Sequence, residues 1–271
     1  MAEMINRRTF CFALGAAAFL HRGSIRASDS EAFTAESYRN SHNQTMPYRL
    51  FVPPTYDKHS DYPLVLWLCG SAGRGSNNLN QISLGNVLGS HVWTTPENQA
   101  RHPCFVIAPQ CPDGQEWLEP KDPVTKDLVA RALGAKPAAP SLLALEIVRD
   151  LQKRFRIDVR RLYVAGQSMG GSGTWSLIQA YPEMFAAAVP LCGAGDPAQA
   201  AKLTKMPIWP FHGAQDPTVN VEGSRNMINA IRKAGGNPRY SEYPDTRHNV
   251  FTKAFNEPEL LPWVFSQSRH S

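Results

Sequence analysis

Serine, aspartate and histidine occur in this chain in an order and in settings that could build a proton relay. Ser168 lies in Gly166-Gln167-Ser168-Met169-Gly170, directly after the apolar run 162–165 and before small residues that open a helical pattern. A sharp strand-to-helix turn of this kind needs glycine beside the serine, because no side chain fits there and the serine is itself forced into a strained backbone. Glycine and serine are common enough for the pattern to arise by chance, so a glycine-rich turn with a solvated serine is the competing reading. A serine hydroxyl is a weak nucleophile at neutral pH. It needs an imidazole to take its proton and a carboxylate to fix the imidazole tautomer.

Both partners have candidates downstream. Asp216 closes His212-Gly213-Ala214-Gln215-Asp216 after the apolar run 208–211, and His248 closes Tyr243-Pro244-Asp245-Thr246-Arg247-His248. These are loops after predicted strands, where the reactive groups of a parallel sheet collect. Asp216 could instead be a turn residue before Pro217, and His248 an exposed loop histidine. Asp245 is the rival acid, but three residues from His248 it is better placed to shape the loop. His212 is the rival base, but at a strand end it is expected to hydrogen-bond backbone; His91 and His102 precede the serine. A tetrahedral oxyanion needs two backbone N–H donors. Met169, after the serine, offers one, and Ser71 in Gly70-Ser71-Ala72-Gly73-Arg74-Gly75 the other. The same loop lacks the Gly-Lys-Ser/Thr of a phosphate cradle. No cysteine or histidine spacing suggests a metal site, and this chemistry calls for no metal or organic cofactor.

The elements that must position these residues can be read from periodicity. Short apolar runs at 48–52, 63–68, 105–108, 162–165, 186–191, 208–211 and 239–243 alternate with helix-period segments, which predicts an α/β fold with a mostly parallel central sheet and helices on both faces. Ala144, Ile147, Val148, Leu151 and Phe155 mark a helix leading into the serine strand, with Ser141 as its expected cap. Met227, Ile228 and Ile231 mark another, stopped by Gly235-Gly236. Residues 117–140 are rich in proline and charge and should make an excursion over one end of the sheet, with a short helix near 128–133.

With 271 residues and no internal repeat, the chain is expected to hold one domain over 28–271. Residues 1–27 read as an export signal: Asn6-Arg7-Arg8-Thr9-Phe10 has the twin-arginine form, followed by an apolar stretch too short to span a bilayer. An uncleaved anchor is the alternative. The formal charge of +5 falls to +2 once the four arginines and one glutamate of that segment are set aside. No basic cluster interleaved with aromatics points to nucleic acid. Nothing specifies an oligomeric state. Beyond Cys11, the cysteines are expected to be buried free thiols; Cys69 and Cys111, near the carboxyl ends of neighbouring strands, are the one pair a bridge could join.

Taken together, 63–78 (PLVLWLCGSAGRGSNN), Ile107-Ala108-Pro109-Gln110-Cys111-Pro112, 157–171 (IDVRRLYVAGQSMGG), the HGAQD segment and Arg247-His248 carry a resemblance over nearly all of residues 45–265. The chain resembles α/β-hydrolase esterases of the group holding carbohydrate-esterase family 1 feruloyl and acetylxylan esterases, polyhydroxybutyrate depolymerase-like proteins and predicted secreted peptidases. The resemblance implies a triad of Ser168, Asp216 and His248, oxyanion donors at Ser71 and Met169, and pocket positions at Gln167 and Trp117, the last equally suited to buried packing. It departs at Cys69, where members usually carry a histidine that braces the loop. The expected activity is an exported serine esterase acting on a small or polymer-linked ester, such as acetyl or feruloyl groups on polysaccharide. A peptidase on the same fold and a silent binder of glycan or polymer are the alternatives.

Overall fold

The computed structural model describes residues 32–269; the expected export signal lies outside them. The strands are β1 (Thr34–Arg39), β2 (Thr45–Phe51), β3 (Tyr62–Leu68), β4 (Phe105–Pro109), β5 (Leu118–Glu119), β6 (Lys136–Pro137), β7 (Ile157–Gln167), β8 (Ala187–Leu191), β9 (Phe211–Gly213) and β10 (Ser241–Tyr243). Eight of them make one sheet in the order β1-β2-β4-β3-β7-β8-β9-β10. β1 and β2 pair antiparallel, as do β2 and β4, and every later pairing is parallel. This is the mostly parallel α/β sheet that the alternation of runs predicts, in the α/β-hydrolase form that the resemblance implies.

The pleat sorts each central strand between two cores. Leu64, Leu66 and Leu68 of β3 pack with the helices Ala139–Arg154 and Met169–Ala180 on one face. Val65 and Trp67 pack with Trp93, Phe255 and Leu260 on the other. All seven residues of β3 are buried, and each such aliphatic side chain contributes about 1.5–3 kcal/mol by leaving water. That double burial holds the carboxyl ends of β3, β7, β8 and β9 side by side, where the loops of interest emerge. Among the described residues, no helix is long and apolar enough to cross a membrane.

Three details differ from the sequence expectation. β1 is an added edge strand whose side chains are exposed or half-buried, so it shows no apolar run. The strand expected at 208–211 is displaced to Phe211–Gly213, with Ile208 making only an isolated bridge to Ala188. Ser141 is not a cap: the helix begins at Ala139 with Pro140 in its first turn, and the Ser141 hydroxyl donates to the Trp117 carbonyl at 2.6 Å. Proline preorganises a first turn without any capping side chain. The excursion carries the β5/β6 hairpin and a helix, Leu128–Ala132, capped by Asp127. Cys69, Cys104, Cys111 and Cys192 are all buried free thiols, so Cys69 and Cys111 are not bridged.

Candidate active site

β7 delivers Ser168 on a sharp turn into the helix Met169–Ala180. Ser168 has φ 56° and ψ −117°, a backbone region costly for a residue with a side chain and tolerated where surroundings fix it. Its N–H donates to the Leu191 carbonyl at 2.8 Å, and its carbonyl accepts from Ser172 N at 2.9 Å. Gly170 packs so tightly beneath β3 that a Cβ there would overlap the Leu68 carbonyl.

The acid and the imidazole arrive on loops that are stitched together. Ala214 N donates to the Tyr243 carbonyl and Gln215 N to the Thr246 carbonyl, each at 3.0 Å. A Cβ on Gly213 would strike the Thr246 and Arg247 carbonyls, which accounts for glycine in the HGAQD segment. His248 then spans the gap: Nε2 lies 2.8 Å from Ser168 Oγ, and Nδ1 2.7 Å from Asp216 Oδ2. The Asp216 side chain is wholly buried and that of His248 one quarter exposed. Asp216 Oδ1 accepts from Thr218 N at 2.8 Å and Val219 N at 3.0 Å. Burial pushes the Asp216 carboxyl up, but donation from His212, His248 and Thr218 outweighs it and holds the group well below the usual carboxylate range. Asp245, the rival acid, is exposed.

Ser71 and Met169 each occupy the first position of a helical turn, Ser71–Gly73 and Met169–Ala180, where an N–H has no acceptor within its own helix. Both line a cavity of about 260 Å³ together with Ser168. Gln167 and Trp117 stand elsewhere. Gln167 is buried and donates to the Gly85 carbonyl at 2.7 Å. Trp117 is fully buried, its indole donating to the Cys69 carbonyl at 2.9 Å.

That last bond belongs to a brace which sequence reading missed. Gly70 N donates to Asn86 Oδ1 at 2.8 Å, Gln110 Nε2 to the Gly73 carbonyl at 3.3 Å, and Gly75 N to the Cys111 carbonyl at 3.0 Å. Asn86, Gln110 and Trp117 thus fix the loop. Cys69 itself is inert, its thiol pushed up to about 12 chiefly by burial. Glu116, just before the excursion, accepts from Arg74 at 3.5 Å and from Arg131 of the excursion at 3.0 Å on the cavity wall. Leu118, Leu128, Met169 and Val219 make the wall's apolar part.

Among the described residues, one trio of potential metal ligands converges: Cys192, Asp216 and His248, within 4.8 Å of one another. Asp216 and His248 are committed to each other, and burial pushes the Cys192 thiol well above its ordinary value, so the trio offers an ion poor donors.

The parallel sheet with a strained serine between strand and helix, followed in sequence by acid and histidine, defines an α/β-hydrolase. The chain belongs to the dienelactone hydrolase family, whose profile matches residues 84–259. It is 25% identical over 118 residues to a bifunctional acetylxylan esterase/xylanase of Neocallimastix patriciarum, covering 44% of this chain and 17% of that protein. It is 28% identical over 148 residues to an uncharacterized secreted protein of Arthroderma benhamiae, covering 38% of this chain and 16% of that one. The chain therefore spans about a sixth of the length of these relatives. Among solved structures, a thermostable esterase aligns with TM-score 0.79 and 36% identity over 88% of this chain and 64% of its own. A ferulic acid esterase shares the fold with TM-score 0.62 and 18% identity, over 86% and 98%.

Proposed function

We propose that this protein is an exported serine esterase that works through an acyl-enzyme, with Ser168 as nucleophile, His248 as general base and acid, and Asp216 as the group that orients and stabilises the imidazole. The observation that carries the reading is the unbroken run of short contacts, Ser168 Oγ to His248 Nε2 at 2.8 Å and His248 Nδ1 to Asp216 Oδ2 at 2.7 Å. His248 takes the serine proton as Oγ attacks the ester carbonyl and returns it to the leaving alcohol. It then deprotonates the water that releases the acid. The N–H groups of Ser71 and Met169 receive the developing oxyanion, and one such donor contributes about 3 kcal/mol to the transition state.

In this reading residues 28–271 fold as one domain, and the substrate is an acetyl or feruloyl ester attached to polysaccharide. The resemblance to the carbohydrate-esterase group supports that choice, as do the relatives named for acetylxylan and ferulic acid. Export is supported by Asn6-Arg7-Arg8-Thr9-Phe10 and by the relative described as secreted. The test is hydrolysis of p-nitrophenyl acetate, hydroxycinnamate esters and a peptide p-nitroanilide by the wild type and by Ser168→Ala. Ester turnover that falls by about a thousandfold or more in the folded variant is expected. Retention of a tenth of the rate, or preference for the peptide, rejects the reading.

A further inference from the structure

His212 is a buried titratable side chain that the proposed relay does not use, yet it touches the relay's acid. The ring is fully buried, at the middle residue of β9. Nε2 lies 3.0 Å from the Val219 carbonyl and 3.3 Å from Asp216 Oδ2; Nδ1 lies 2.7 Å from Ser224 Oγ. A carbonyl and a carboxylate can only accept, whereas a hydroxyl can donate. The contacts therefore assign the hydrogen to Nε2; the single Ser224 hydroxyl hydrogen has two acceptors within reach, His212 Nδ1 at 2.7 Å and the Gly193 carbonyl at 3.3 Å, and the shorter contact directs it to Nδ1. Val219 is held from both sides: its carbonyl accepts from His212, while its N–H donates to Asp216 Oδ1. One imidazole thus steadies a carboxylate oxygen and the backbone that grips the other.

Resting on the triad reading above, we propose that His212 is a positioning residue that, through its Nε2–H, fixes the Asp216 carboxylate and sets the basicity of His248. An N–H beside Oδ2 spreads the carboxylate's negative charge and weakens its pull on a proton at His248. Taking that donor away leaves a carboxylate that favours the imidazolium more strongly. The other groups facing this cluster leave the field to it. From the end of β8, Cys192 keeps its proton through burial. From the helix Glu222–Lys233 come Ser224 and Arg225, and from β10 Glu242, which Arg225 neutralises through contacts of 2.6 and 2.9 Å while Tyr240 donates to it at 2.7 Å.

The test uses the full-length protein labelled with 15N at histidine, so that imidazole tautomers and the His248 titration are read without a substrate. In the wild type, His212 must show a protonated Nε2 and a bare Nδ1. A proton found on Nδ1 instead overturns the proposal whatever the variants do. In His212→Asn, whose short amide reaches only the Ser224 side, the His248 midpoint should rise by about half a pH unit or more. The acid limb of kcat/KM should move with it. His212→Gln, which can place an N–H near the Nε2 position, should return both toward the wild type. A role confined to packing would lower the melting temperature of both variants and leave the His248 midpoint in place, which also overturns the proposal. If the midpoint shifts but no ester is turned over, the esterase reading fails and the positioning role stands.

Discussion

Replacing Asp216 with asparagine should do more than remove a charge, because its surroundings dictate which way the amide must face. Oδ1 receives two backbone N–H groups, from Thr218 at 2.8 Å and Val219 at 3.0 Å. An amide nitrogen on that side would oppose two donors and leave both unsatisfied, at about 1–3 kcal/mol each. An NH2 at the Oδ2 position opposes one donor, the longer His212 Nε2–H contact at 3.3 Å, so the amide oxygen stays at Oδ1 by a net of about 1–3 kcal/mol. The NH2 then faces His248 Nδ1, which must become an acceptor, and the ring proton moves to Nε2. A histidine protonated at Nε2 donates to Ser168 Oγ and cannot take its proton. The loss in kcat should be roughly 10³–10⁴-fold, or about 4–5.5 kcal/mol of barrier. The assay is kcat and kcat/KM for p-nitrophenyl acetate beside far-UV and near-UV circular dichroism. A folded Asp216→Asn protein that keeps more than a tenth of wild-type kcat would refute this reasoning.

Further expectations follow from neighbouring contacts. Because the folded state depresses the Asp216 carboxyl below its unfolded value of about 3.9, the unfolded chain binds a proton there that the native protein refuses. This stabilisation is fully present above about pH 4 and declines as pH falls toward the folded value. Urea titrations should show stability dropping more steeply with acid for the wild type than for Asp216→Asn, by up to about 1.4 kcal/mol per pH unit. Asn86→Ala should orphan the buried Gly70 N–H, destabilise the protein by about 1–3 kcal/mol in urea, and lower kcat about tenfold with little change in KM by loosening the proposed oxyanion loop. Asp245→Asn, on an exposed side chain, should leave stability within about 0.5 kcal/mol and ester turnover within about twofold; a loss like that of Asp216→Asn would return Asp245 to the role of acid.

What could be read from the sequence is what short-range pattern encodes. The apolar runs of β3, β4 and β8 are buried on both faces, so their hydrophobicity is nearly continuous and unmistakable. Ser168 and Asp216 each follow such a run, His248 follows the half-buried strand Ser241–Tyr243, and the fold gathers the ends of those strands. β1 escaped notice because an edge strand with exposed side chains, Thr34-Ala35-Glu36-Ser37-Tyr38-Arg39, has no reason to be apolar. The brace of the loop at Gly70 was illegible for a different reason. Asn86 and Trp117 reach it from 16 and 48 residues away, and no local pattern records a side chain that bonds a distant backbone. The pairing of Glu116 with Arg74 and Arg131 was hidden likewise, since the excursion's course is set by its packing rather than by periodicity. His212 was read as a strand-end histidine bonded to backbone, which it is through Val219. Its second contact, with Asp216, depends on the turn between them, where the Asp216 N–H returns to the Gly213 carbonyl at 3.2 Å.

The most direct measurement of the central claim is covalent trapping at Ser168. Incubation of the full chain with a fluorophosphonate, followed by intact-mass and peptide mass spectrometry, should show one phosphonyl adduct on the peptide holding Gly166-Gln167-Ser168-Met169-Gly170, slowed at least a hundredfold in His248→Ala. An unmodified serine in active, folded protein, or an adduct on another residue, would contradict the account.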